Sequence, residues 1–127
     1  LDVVYEAPGD AGYDQVFASV SYTLSDRVEW LGLQATAGAI DGTGNAEANT
    51  LLGNDFANIS AGMNGDDTLY GEGGDDTAYG GLGFDVLHGD LQVSQAGDHL
   101  FGTRSRHRHT PPLGSTSPYS GVTWRME

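Results

Sequence analysis

Glycine and aspartate recur with a period of nine residues over positions 62–88. Residues 62–70 read GMNGDDTLY, 71–79 read GEGGDDTAY and 80–88 read GGLGFDVLH. Each unit has glycine in its first and fourth places, aspartate in its sixth and Leu or Ala in its eighth. Asp67, Asp76 and Asp85 therefore stand nine apart. Fixed short periods are the mark of architectures built by stacking one small unit on the next. Weaker copies precede these in the same frame. GNAEANTLL (44–52) keeps Gly44 and the eighth-place Leu51 but has Asn49 in the aspartate place, and GNDFANISA (53–61) has Asn58 there and Ile59 one place early. A separate copy, GDAGYDQVF (9–17), has Asp14 in the sixth place, and Leu1–Tyr5 has the pattern of the end of another, with Asp2 and Val4.

The residue types point to a chemistry. Glycine accepts positive φ and lets backbone pass close to an ion, so a loop with two or three glycines can turn its carbonyls inward. A hard cation such as calcium takes six to eight oxygens, from carboxylates and carbonyls. The closing triplets TLY, TAY and VLH suit a short strand with its middle residue inward, which makes Leu69, Ala78 and Leu87 core positions. One loop and one strand make half a turn, so 18 residues complete a coil, and equivalent loops stack about 4.8 Å apart. Asp67 and Asp85, 18 apart, then face each other and repel unless a divalent cation sits between them. Gly/Asp-rich stretches are also the composition of flexible loops. Three copies in one frame with an apolar eighth place separate this chain from that reading. Asp66 and Asp75, in the variable fifth place, are read as solvated, and Tyr70, Tyr79 and His88 as outward-facing.

Charge narrows the partners. Over 127 residues the chain carries 18 Asp/Glu against five Arg and no Lys, a net of −13. Residues 1–102 hold 17 acids and Arg27 (−16), and residues 103–127 hold four Arg and Glu127 (+3). Nucleic acid and anionic membranes both demand cationic contacts, so neither is an expected partner of the acidic body. Cysteine is absent, which removes disulfides, thiol catalysis and Cys-based zinc sites. No apolar run reaches the roughly 18–20 residues of a membrane span, and no signal peptide opens the chain. The first residue is Leu1, so the sequence reads as a fragment or a processed piece.

The units GMNGDDTLY, GEGGDDTAY and GGLGFDVLH resemble the calcium-binding nonapeptide GGxGxDxUx (U a large apolar residue) of the RTX, hemolysin-type repeat proteins. The resemblance runs from Leu1 to about Asp90. It implies an all-β fold: a short parallel β-roll, or β-solenoid, of nonapeptide repeats. It also implies calcium as the bound ion, held between one loop and the loop 18 residues later. The first loop would give carbonyls from its second and fourth places and its Asp; the second, carbonyls from its first and third places and its Asp. Carried over, Met63, Gly65 and Asp67 with Gly80, Leu82 and Asp85 form the one site with two aspartates. A weaker site would use Asn54, Phe56 and Asn58 with Gly71, Gly73 and Asp76. Another would pair Glu72, Gly74 and Asp76 with Gly89 onward. By the same resemblance the chain is expected to be secreted by a bacterium, with calcium coupled to its folding. Such arrays also follow protease, lipase, epimerase or toxin domains, or act as spacers of adhesins and surface-layer proteins.

Three parts are expected: 1–43, a degenerate repeat and a strand or hairpin spacer; 44–90, the β-roll; and 91–127, a degenerate repeat and a disordered basic tail. VFASVSYTL (16–24) alternates with a period of two. SerAspArg (25–27) supplies a turn, and VEWLGL (28–33) offers Val28, Trp30 and Leu33. These read as a β-hairpin or two strands capping one end of the coil, with a ligand site at Trp30 the lesser alternative. QAGDHLFG (95–102) has the form of a repeat one residue short, with Asp98 and Leu100 in the sixth and eighth places. The tail beyond is Pro/Ser-rich and basic, and a frame-shifted end is the other reading of it. Arg104, Arg106, His107, Arg108 and His109 could hold metal or a polyanion, though a solvated tail is the plainer reading. No HExxH, GxSxG, Walker A or EF-hand pattern occurs, and no enzymatic role is expected of this chain.

Overall fold

The computed structural model describes residues 3–5, 12–90, 99–102 and 123–126. Short strands alternate with loops, and from Gln15–Ala18 to His99–Gly102 each strand lies in the opposite sheet from the one before it. The odd coil-halves are β1 (Val3–Tyr5), β2 (Gln15–Ala18), β4 (Trp30–Leu33), β6 (Thr50–Leu52), β8 (Thr68–Glu72) and β10 (Val86–Asp90), which form one sheet in that order. The other sheet runs β3 (Tyr22–Thr23), β5 (Gly42–Thr43), β7 (Ile59–Ala61), β9 (Thr77–Tyr79), β11 (His99–Gly102) and β12 (Thr123–Met126). All neighbouring pairs are parallel except β1 with β2. The chain is therefore an all-β solenoid of parallel strands, about four turns long.

Strict register sets the core. In the first sheet Val16, Leu31, Leu51, Leu69 and Leu87 are successive partners, and all are buried. In the second, Gly42, Ser60 and Ala78 are successive partners. Small residues thus stand opposite the leucine column over these three coils. The gap between the walls explains the asymmetry: a Cβ built on Gly42 would lie 3.1 Å from a Leu31 methyl and 3.7 Å from methyls of Leu33 and Leu51. A leucine in the place of Gly42 would not fit. Ile59, one place early in its repeat, points to solvent, and Ser60 takes the inward place.

Of the two readings of the spacer, a hairpin or two strands, the hairpin does not form. β2 and β4 pair in parallel with β3 between them in the other sheet, so residues 15–43 are further coils of the solenoid itself. The alternation of 16–24 breaks at residues 19–21, where the chain turns the corner. Val20 is consequently exposed, while Val16, Ala18 and Leu24 are buried. Leu31, not Trp30, is the core residue of β4. Trp30 packs outside against Phe17, ring centroids 4.9 Å apart, and spreads over Gly32, where a Cβ would meet its ring. β1 runs antiparallel to β2, so Val3–Tyr5 is no strand of a preceding repeat: a repeat would join in parallel. It covers the first sheet's edge instead, as a solenoid end requires.

At the other end, Leu100 pairs with Ala78, which places it in the eighth-place column as its sequence pattern suggested. Thr123–Met126, within the segment read as a tail, is a strand beside β11. The basic cluster 104–109, Asp98 and the rest of the tail lie outside the described residues.

Candidate metal centre

Each tandem loop repeats one backbone device. The second places have positive φ (Met63 85°, Glu72 74°, Gly81 95°), as do the fourth places (Gly65 110°, Gly74 104°, Gly83 151°). Left-handed residues set between right-handed or extended ones let the loop reverse direction tightly. Glycine supplies this without strain, whereas Met63 and Glu72 hold it against their own Cβ. The first place must be glycine for another reason. A Cβ on Gly62 would fall on the Asp67 carboxylate and 2.5 Å from the Gly80 carbonyl oxygen, and one on Gly80 would fall on the carboxylate of Asp85.

Those carboxylates point inward. Asp67, Asp76 and Asp85 are 1%, 2% and 0% exposed. Each accepts, at Oδ1, the backbone N–H of the sixth-place residue 18 positions earlier: Asn49 to Asp67 (2.7 Å), Asn58 to Asp76 (2.9 Å) and Asp67 to Asp85 (3.1 Å). The second oxygen of Asp67, Oδ2, is buried and accepts no hydrogen bond, and the Oδ2 atoms of Asp76 and Asp85 are buried in the same way. Desolvation, opposed by the Asn49 N–H and reinforced by the charges of Asp85 and Asp66, raises the Asp67 pKa to about 6. An orphaned, buried carboxylate oxygen is costly unless something cationic meets it.

The two loops expected to share an ion lie together. The Met63 carbonyl accepts the Leu82 N–H (2.8 Å), the Leu82 carbonyl accepts the Gly65 N–H (2.9 Å), and Asn64 and Leu82 form a β-bridge. Gly80 adjoins Gly62, and Asp85 adjoins Asp67. For the weaker set, Gly73 donates to the Asn54 carbonyl (3.1 Å) and the Gly71 carbonyl packs against Gly53. No three His, Cys, Asp or Glu side chains converge among the described residues. A cation here would accordingly be completed by backbone carbonyls, which fits calcium and not the softer metals. Asp66 is exposed, as expected, yet its Oδ1 accepts the Phe84 N–H at 2.9 Å, so it ties two loops together. Tyr79 faces outward and stacks on Phe101. Tyr70 and His88 are half-buried and stack at 4.6 Å.

Sequence reasoning placed Asn49 and Asn58 in the aspartate place and took Asn54 and Asn58 as ligands of the weaker site, but it missed Asn45 and the hydrogen bonds these amides make. Asn45 and Asn49, and Asn54 and Asn58, fill the second and sixth places, and all four are buried. Asn49 Oδ1 accepts the Asn45 N–H (2.7 Å) and Asn58 Oδ1 the Asn54 N–H (2.9 Å). Their signal was present as GNxxxN twice, nine residues apart.

Residues 52–87 match the family model of the RTX calcium-binding nonapeptide repeat, in four copies. That stretch belongs to the RTX calcium-binding repeats, a β-roll family typical of secreted bacterial proteins, and its presence implies calcium binding. The match is shorter than the span from Leu1 to Asp90 over which the sequence is read as resembling the family, although parallel coils extend back to Gln15. No curated protein and no solved structure gives a significant match to the chain. No helix among the described residues is long and apolar enough to cross a membrane.

Proposed function

We propose that this chain is a calcium-dependent folding and binding module of a secreted bacterial protein, and that it has no catalytic role of its own. The observation that carries the reading is the buried Oδ2 of Asp67, which accepts no hydrogen bond although the Asp85 carboxylate lies close enough to raise its pKa. The principal ion would be held by Met63, Gly65 and Asp67 with Gly80, Leu82 and Asp85. A second, weaker one would use Gly71, Gly73 and Asp76. When bound, calcium supplies the positive charge that facing carboxylates need. Asp67 and Asp85 orient it, Gly62 and Gly80 leave room for them, and the left-handed second and fourth places turn carbonyls inward.

Because such a site exists only in the folded form, the ion's binding free energy adds to folding. Extracellular modules bind calcium with dissociation constants of roughly 10⁻⁴–10⁻³ M, so the aspartate coils would stay open in a low-calcium cytosol and close after export. Circular dichroism with chelator and with millimolar calcium tests this. β signal that grows with calcium supports the reading; a spectrum that chelator leaves unchanged sinks it. A catalytic or adhesive domain elsewhere in a longer parent protein is compatible with this role.

A further inference from the structure

The change from aspartate to asparagine along the array coincides with a change in what neutralises the loop carbonyls. We propose that the coils before Gly62 fold without any cation, the amides of Asn45, Asn49, Asn54 and Asn58 standing where an ion would otherwise be needed, and that this calcium-free block is the template on which the aspartate coils are laid.

An asparagine amide carries two N–H donors, and a carboxylate carries none. Asn45 spends both on the Ser25 and Val28 carbonyls (2.7 and 2.8 Å), and Asn54 both on the Gln34 and Gly38 carbonyls (3.1 and 2.9 Å). Asn49 donates to the Val28 carbonyl (3.1 Å) and to Asn45 Oδ1 (3.0 Å). Asn58 donates to the Ile40 carbonyl at 2.7 Å. In each case the side chain reaches back to the preceding loop on its own side of the solenoid and meets oxygens that would otherwise crowd a closed space. The oxygens of Asn45 and Asn54 also accept the N–H groups of Glu47 and Phe56 (2.9 and 3.0 Å), which fixes their rotamers. These networks are uncharged, so closing them carries no like-charge repulsion.

The same asparagines offer the first rung of the calcium-dependent part. The backbone N–H of Asn49 and of Asn58 are the donors that Asp67 and Asp76 accept. With coils 24–61 already formed, those donors are in place before the aspartates arrive. Growth of the solenoid then has a direction, from the asparagine coils toward Asp85. This templating step rests on the calcium-coupled folding proposed above; the cation independence of the asparagine coils does not.

Hydrogen–deuterium exchange on the full chain, in chelator and in millimolar calcium chloride, separates the two. Amides of 24–61 are expected to be protected equally in both conditions, and amides of 62–90 in calcium alone. Protection of 24–61 that appears only with calcium overturns the proposal and leaves calcium-coupled folding standing. Equal protection of 62–90 in both conditions removes the calcium reading and the templating with it, while protected 24–61 amides in chelator still support the amide networks. Asn49→Asp and Asn58→Asp, nearly isosteric but without the donors, are expected to speed exchange of 24–61 in chelator on the order of tenfold or more, since each strands buried polar groups. Ile59→Thr, at an exposed neighbouring position, should leave it unchanged. Asparagine variants that exchange like the parent chain in chelator would refute the role of the amides.

Discussion

Asp67 gathers most of the chemistry of the site into one side chain, and its pH response has a definite sign. Its carboxyl titrates near 3.8 when unperturbed and at about 6 in the fold. A raised folded pKa means that the folded state holds the proton more tightly than the unfolded chain. Its contribution to stability is fully present below about 3.8 and is lost as pH rises through about 6. Without calcium, circular dichroism should therefore show more β signal at pH 5 than at pH 7.5, and Asp67→Asn should flatten that dependence. With calcium the slope reverses, because the proton and the ion compete for one carboxylate. Titration calorimetry should accordingly show affinity weakening as pH falls through about 6. The strained second places give a separate prediction. Met63→Gly and Glu72→Gly each remove a left-handed Cβ that costs about 1–2 kcal/mol. Part of the gain is offset by the entropy that glycine adds to the unfolded chain. Both variants should melt at slightly higher temperature in calcium, and Gly80→Ala, whose Cβ meets the Asp85 carboxylate, should melt lower and bind calcium more weakly. Asp66→Ala, at a place read from sequence as solvated, should cost about 1 kcal/mol through the lost bond to the Phe84 N–H.

The strands are short, and what makes them strands is the neighbour on each side. β6, β8 and β10 share a leucine column that packs against Gly42, Ser60 and Ala78. Leu69→Ala should therefore cost about 2–5 kcal/mol, read as a lower urea midpoint in saturating calcium. Gly42→Leu should destabilise by about 1–3 kcal/mol, because the facing leucines already fill the gap. The tandem strands were legible because the eighth place is apolar and the period is fixed. The spacer strands were legible only in part. Val28 and Trp30 of VEWLGL keep a period of two, yet the phase of β4 is set by its pairing with Val16 through Leu31. One residue's shift exchanges the inner and outer faces. Likewise the alternation through 16–24 read as a single strand, because a corner at residues 19–21 leaves no mark in hydrophobicity alone.

Taken as one molecule, the solenoid has two kinds of coil, and chelation should divide them: β signal in circular dichroism should fall with chelator without disappearing, whereas Asp85→Ala should remove at least one ion from the calorimetric stoichiometry. The sequence by itself determined the repeat period, the facing of Asp67 and Asp85 and the hard cation their oxygens suit, because a nine-residue spacing of glycine, aspartate and an apolar residue is local information; the all-β roll and calcium itself were what the resemblance implied. Only the tertiary structure decided that residues 15–43 are coils and not a hairpin, that β1 closes an edge in the opposite direction, and that Ser60 fits inward where Ile59 does not. It also decided that asparagine amides reach the carbonyls of the preceding loop. These are matters of which strand lies beside which, and that pairing is fixed by packing between residues some 18 positions apart, beyond what any one stretch of the chain records.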